Sequence, residues 1–193
     1  MKSNFRLTFF VAPLVVIGLA LRAHGADLTA FQLAKEGNRY VGEGVKDQVV
    51  QIRSEKSVGS LTPNIWYVVY FDADASFHAT EVKFGGGEKL EVKRPGRMLE
   101  YGTSYEKTLD RAKLKVDSDK ALAIAKKDSL LGNVKLVASE MKLERSDDGP
   151  VWKIKLWASK LRNPADDVHV GDVFVLAEDG KVVKRDLHPE RID

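Results

Sequence analysis

The stretch GPVWKIKLWAS, residues 149–159, alternates Trp152, Ile154 and Leu156 with Lys153, Lys155 and Trp157. A period of two predicts a β-strand whose first set packs under a helix while the second meets water. Eighty-six positions earlier, PNIWYVVYFDA at 63–73 also sets a proline and an apolar-Trp pair at the head of a strand. That earlier strand, IWYVVYF, is apolar on both faces, which predicts cover on both sides.

Reading outward, each Trp strand follows another β-prone stretch, DQVVQIRSEKSV (47–58) and GNVKLVASEMKLER (132–145). In the latter the apolar phase changes between Ala138 and Met141, so a β-bulge is expected near Ser139. A helical signal precedes each pair. Aligning Ala34-Lys35 with Ala125-Lys126 sets Ala30, Phe31 and Leu33 over Ala121, Leu122 and Ile124, one apolar stripe in each case. Thr29 or Asp27 and Ser118 or Asp117 suit the N-caps, with Gly37 and Gly132 at the ends. Hairpin turns are expected at GGG (85–87) and EDGK (178–181), where positive φ is needed.

These readings predict an α+β chain of two tandem units, each a helix packed on an antiparallel β-sheet, after an N-terminal signal peptide. The boundaries are 1–25 for the signal, 26–95 for the first unit, 96–116 for a connection with a short helix around 106–113, and 117–193 for the second unit. The two sheets have similar strands, so joining edge to edge is permitted.

The address is read from the first residues. Lys2 and Arg6 precede an uncharged run of 15 residues from Leu7 to Leu21, followed by a small-residue Ala23-x-Gly25 pattern. The run is short of the ~20 residues needed to span a bilayer and contains Pro13, so a cleaved secretory signal is expected, with no stable membrane insertion afterwards. Removing Lys2, Arg6 and Arg22 takes the formal charge from +3 to zero, so the pI near 8.9 offers no argument for nucleic acid. With no Cys there is no disulfide framework. The expected location is exported, periplasmic or secreted.

The second half resembles a PepSY-like domain. The residues that carry this are the ALAIAKK helix within 118–127, the strands at 134–145 and 151–158, and the acidic-Gly-apolar hairpin EDGKVVKRD at 178–186. The first half resembles the family through its match to the second. The resemblance implies a helix packed across an antiparallel sheet in an exported protein that binds or restrains a partner, often a protease, and does no chemistry itself.

Chemistry is sparse among the residues. The best local candidate is NPADDVHVGD, where Asp166, Asp167, His169 and Asp172 fall within seven positions and offer ligands to a cation or parts of a small metal-dependent hydrolase. The competing reading is a turn opened by Asn163-Pro164 whose side chains cap their own backbone. FDADAS lacks the glycine and closing Glu of a calcium loop, GGGEK lacks the helix of a phosphate loop, and there is no nucleophile elbow. No catalytic residue and no cofactor are expected. The remaining signal is aromatic: Trp157 shares a face with Lys153 and Lys155, and Tyr67 holds the analogous place in the first half. These four residues are the expected contacts for a protein partner, while Tyr67, Trp157 or neighbouring aromatics would take a sugar ring if the chain is a carbohydrate-binding module.

Overall fold

In the computed structural model, which describes residues 28–94 and 103–193, the two Trp strands belong to one sheet. The signal-like segment and residues 95–102 lie outside the described residues. Helix α1 (Ala30–Gly37) leads into strands β1 (Val49–Ser54), β2 (Ile65–Phe71), β3 (Ala79–Gly85) and β4 (Glu88–Lys93). Helix α2 (Ser118–Lys126) leads into β5 (Leu136–Ser146), β6 (Gly149–Ser159), β7 (Asp167–Leu176) and β8 (Val182–Leu187). The strand order is β4-β3-β2-β1-β5-β6-β7-β8, and every neighbouring pair is antiparallel.

This corrects the expected two tandem helix-on-sheet units. The helix-then-four-strands order does occur twice, but β1 pairs directly with β5, Ile52 opposite Leu143 and Arg53 opposite Lys142. A single eight-stranded sheet with two short helices results. The physical reason is that the first strand of each half has an unpaired edge, and pairing the two satisfies both ladders at once.

Both helices lie on one face. Beneath them run Ile52, Val68, Val82, Leu143, Ile154 and Leu156, all buried. Trp152 is their centre, stacked on Phe31 at 6.1 Å and edge-on to Trp66 at 6.5 Å. The two Trp strands therefore serve one core, and each indole N–H is satisfied within it. Trp152 donates to the Val116 carbonyl at 2.8 Å and Trp66 to that of Pro63 at 3.0 Å.

The helix starts interlock. Asp117, the N-cap of α2, accepts the amide of Phe31 in α1 at 3.1 Å, and the Ser118 hydroxyl accepts that of Ala30 at 3.1 Å. Gln32 accepts the amide of Thr29, the N-cap of α1, at 2.9 Å. Helix α1 ends at Gly37 as expected, whereas α2 stops at Lys126 and Gly132 follows a further 3-10 turn, Ser129–Leu131. The short helix expected around 106–113 resolves into two 3-10 turns, Tyr105–Lys107 and Arg111–Lys113.

Bulges set the sheet's phase. The β5–β6 register shifts between Leu136 and Ala138, just before the position expected from the sequence. In β7 the shift falls beside Gly171, where φ is +126° and a Cβ would come within 2.0 Å of the Asp186 carbonyl oxygen. Only glycine fits there.

The doubly apolar strand β2 is covered by the helices on one side and, on the other, only toward its Val69–Phe71 end. Trp66, Val68 and Tyr70 face the helices, while Val69 joins Val50, Ala79 and Phe71 in a small cluster on the opposite face. Residues 103–107 pass over that cluster: Tyr105 packs edge-on against Phe71, and Thr103 donates to the Phe77 carbonyl at 2.7 Å.

Candidate binding face

Away from the helices and residues 103–107, the remaining sheet surface is polar, and no other described residues cover it. Directly opposed residues in antiparallel strands share a face, so the registers define one row across all eight strands. It runs Glu91, Lys83, Tyr67, Arg53, Lys142, Lys153, Phe174, Lys184 from β4 to β8. Three cations, Arg53, Lys142 and Lys153, stand side by side at its centre.

Carboxylates reach in from the neighbouring rows. Glu81, only 2% exposed, binds Arg53 and, at 3.5 Å, Lys93. Lys142 meets Glu144 at 2.9 Å, Lys153 meets Asp172 at 2.9 Å, and Lys155 meets Glu140 at 2.7 Å. Both aromatics of the row lie under cations. Arg53 sits 4.0 Å and Lys83 5.0 Å from the Tyr67 ring, while Lys153 and Lys184 approach Phe174 at 5.6 and 5.3 Å. The Tyr67 hydroxyl donates to Glu55, which also takes Lys83 at 3.1 Å. The Tyr67 hydrogen bond first, then that of Lys83, hold the Glu55 carboxyl below its usual range.

Trp157 lies on the same face at one end of β6. The His169 ring is 5.1 Å away, and Lys56 reaches over from the loop after β1 to 4.9 Å. Lys56 also binds Asp167 at 2.7 Å, tying the two halves of the chain around the indole. The structure thus brings Lys153, Lys155, Trp157 and Tyr67 onto one surface, with Tyr67 and Lys153 in the same row. Sequence reading missed Arg53, Lys142, Phe174, Lys184 and Lys56. Their alternation with core residues put them on the solvent face, but nothing local showed that the rows would line up.

Beside the central row, where residues 103–107 cross the sheet, is a recess of about 540 Å³. Val50 and Val69 form its floor, and Glu106, Lys107, Glu144 and Arg145 stand around it. Arg145 donates to the Glu106 carbonyl and so holds the crossing segment against β5.

Of the acidic stretch, residues 163–166 turn into β7, and Asp167, His169 and Asp172 lie in that strand. Asp166 accepts from Asn163 at 2.9 Å, Asp167 binds Lys56, and Asp172 lies between His169 at 2.9 Å and Lys153. Among the described residues no three of His, Asp and Glu converge as a metal site would need. His188 binds Asp186 and Glu190 near the C-terminus, and His78 sits in the β2–β3 turn beside Phe71. Among the described residues no helix is long and apolar enough to cross a membrane.

No family model, curated protein or solved structure matches this chain.

Proposed function

We propose that this chain is an exported, non-catalytic binding or inhibitory module whose uncovered sheet face engages a protein partner, a protease or another envelope enzyme. The observation that carries the reading is Trp157, half-buried on that face between His169 and Lys56. A large, rigid aromatic ringed by ion pairs is the composition of an interface anchor, since it buries much area at low entropic cost.

Size supports the same reading. Eight strands at ~4.8 Å spacing make the face about 34 Å wide, and six-residue strands make it about 20 Å long, giving roughly 700 Å². A standard protein interface takes about 800 Å² from each partner. A polar face with a few aromatic anchors also suits a partner that associates without being obligate.

The test is crosslinked affinity capture of the tagged protein from its native host, run beside Trp157→Ala. Capture of one dominant exported enzyme, lost in the variant and accompanied by inhibition of that enzyme, is the expected result. Capture that Trp157→Ala leaves unchanged would place the interface elsewhere.

A further inference from the structure

The helix side of the sheet has a recess of its own. Where α1 and residues 109–114 pass over β1, they leave a space of about 230 Å³. Phe31, Ala34 and Leu114, all half-buried, stand around it, and Val49, Ile52 and Leu109, all buried, lie beneath. Close-packed interiors leave few voids larger than a water molecule, and the neighbouring core is filled by Trp152 against Phe31 and Trp66. The recess stays open because the stretch above it is pinned at both ends: the Leu109 amide donates to the Val49 carbonyl at 2.8 Å, and Arg111 binds Asp47 at 2.7 Å.

The second observation is the charge at its mouth. Lys35, Asp47 and Arg111 are its charged lining residues. Asp47 is already taken, by Arg111 and by the Asn38 amide group at 2.6 Å. The Lys35 ammonium, exposed on the last turn of α1, has no ion pair among the described residues. One positive charge is therefore left over beside an apolar space, the combination of an apolar pocket with a single orienting polar group.

We propose that this recess binds a small apolar monocarboxylate, an unbranched fatty acid of about eight carbons. Its tail lies over Ile52, Leu109 and Leu114, and its carboxylate meets Lys35. An apolar cavity of ~150 Å³ holds a benzene molecule, so about 230 Å³ admits a chain of roughly this length. The single surplus charge matches one carboxylate, whereas a phosphate dianion would bring its second charge against Asp47. An alcohol of the same length leaves Lys35 unanswered, and an amine is repelled by it. The recess lies on the opposite side of the sheet from the face proposed to engage a partner, so the two sites stand or fall separately.

The experiment is calorimetric titration of the protein with sodium octanoate, sodium hexanoate and 1-octanol, repeated on Lys35→Gln, Ala34→Met and Lys120→Gln. Lys120 is an exposed lysine of α2 that does not line the recess. Thermal melts establish that each variant is folded. Octanoate is expected to bind at one site, with hexanoate roughly tenfold weaker for the two buried methylenes it lacks. Octanol should be roughly tenfold weaker for the missing charge. Lys35→Gln should bring octanoate down to the affinity of octanol, Ala34→Met should cost roughly tenfold by filling the space, and Lys120→Gln should change nothing. On methyl-labelled protein, octanoate should shift the Ile52, Leu109 and Leu114 signals.

Equal affinity for octanoate and octanol, or for the unaltered protein and Lys35→Gln, overturns the proposal. So does an equal loss in Lys120→Gln, which would mean a diffuse attraction to lysines. Absence of any binding heat with octanoate, or binding that leaves the three methyl signals in place, overturns it as well. Lys35→Gln alters an exposed side chain, so its result decides the matter even if Ala34→Met does not fold.

Discussion

The carboxylate of Asp117 accepts the backbone amide of Phe31 at 3.1 Å, 86 positions away in sequence, and that of Ser118 at 2.7 Å. One side chain therefore serves free first-turn amides of both helices. Asp117→Ala should cost about 1–3 kcal/mol, the upper end reflecting two orphaned donors, and Ser118→Ala about 1 kcal/mol. Urea unfolding followed by circular dichroism reads both. An unshifted midpoint for Asp117→Ala would mean that water takes over the two amides.

Gly37 is required for space, not for its dihedral angles. A Cβ there would lie 2.2 Å from the Tyr70 hydroxyl oxygen, and that hydroxyl donates to the Ala34 carbonyl at 2.8 Å. Gly37→Ala should destabilise by about 1–3 kcal/mol through overpacking, despite the better helix propensity of alanine. Tyr70→Phe removes the clashing atom along with its hydrogen bond, at a cost of about 1 kcal/mol. The double variant should therefore be more stable than the sum of the two losses predicts, which a double-mutant cycle measures directly.

Glu81 is buried against Arg53, with Lys93 more distant and half-exposed. Arg53→Gln strands a buried carboxylate and should cost about 3 kcal/mol, whereas Lys93→Gln should cost under about 1 kcal/mol. Adding Glu81→Gln to Arg53→Gln should recover most of the loss. If it recovers nothing, Arg53 contributes through its stacking on Tyr67.

Acid should weaken the fold through Asp72. Burial raises its pKa, but the Thr80 hydroxyl, the Asp74 amide and Arg94 outweigh burial and hold the carboxyl below its usual range. A carboxylate depressed in the folded state stabilises fully above the ordinary value near 4 and loses that contribution as pH falls through the lower folded value. Glu55 shifts the same way, but half-exposed it contributes little after solvent screening. Asp72→Asn should therefore lower the melting temperature at pH 7 and flatten its decline below about pH 4. A curve parallel to that of the unaltered protein would assign the acid limb to other groups.

Much of the architecture can be read from periodicity. Trp152, Ile154 and Leu156 against Lys153, Lys155 and Trp157 places two faces correctly, and Thr29 and Asp117 cap the helices they precede. The seam between β1 and β5 cannot be read this way. Gln51-Ile52-Arg53 and Lys142-Leu143-Glu144 alternate as any half-exposed strand does, and alternation is the same for an edge as for an interior strand. Arg53 opposite Lys142 even argues against the pairing that forms. The cation row was hidden for the same reason: it exists only once all seven strand registers are fixed, and its members are far apart along the chain. Trp157 was visible as an exposed aromatic on a lysine face, yet Lys56, which covers it from the other half, lies a hundred residues away along the chain.

The seam also governs how the chain can fold while it is being made. Gln51 finds Glu144 across 93 positions, so at 5–20 residues per second β1 waits roughly 5–20 s for its second neighbour. Its outer ladder is open throughout that interval, on the side away from β2. Gln51 and Arg53, polar and charged on the solvent side of that strand, make it a poor template for a stray chain. The polar residues that later face solvent beside the seam thus guard the first half until its counterpart emerges.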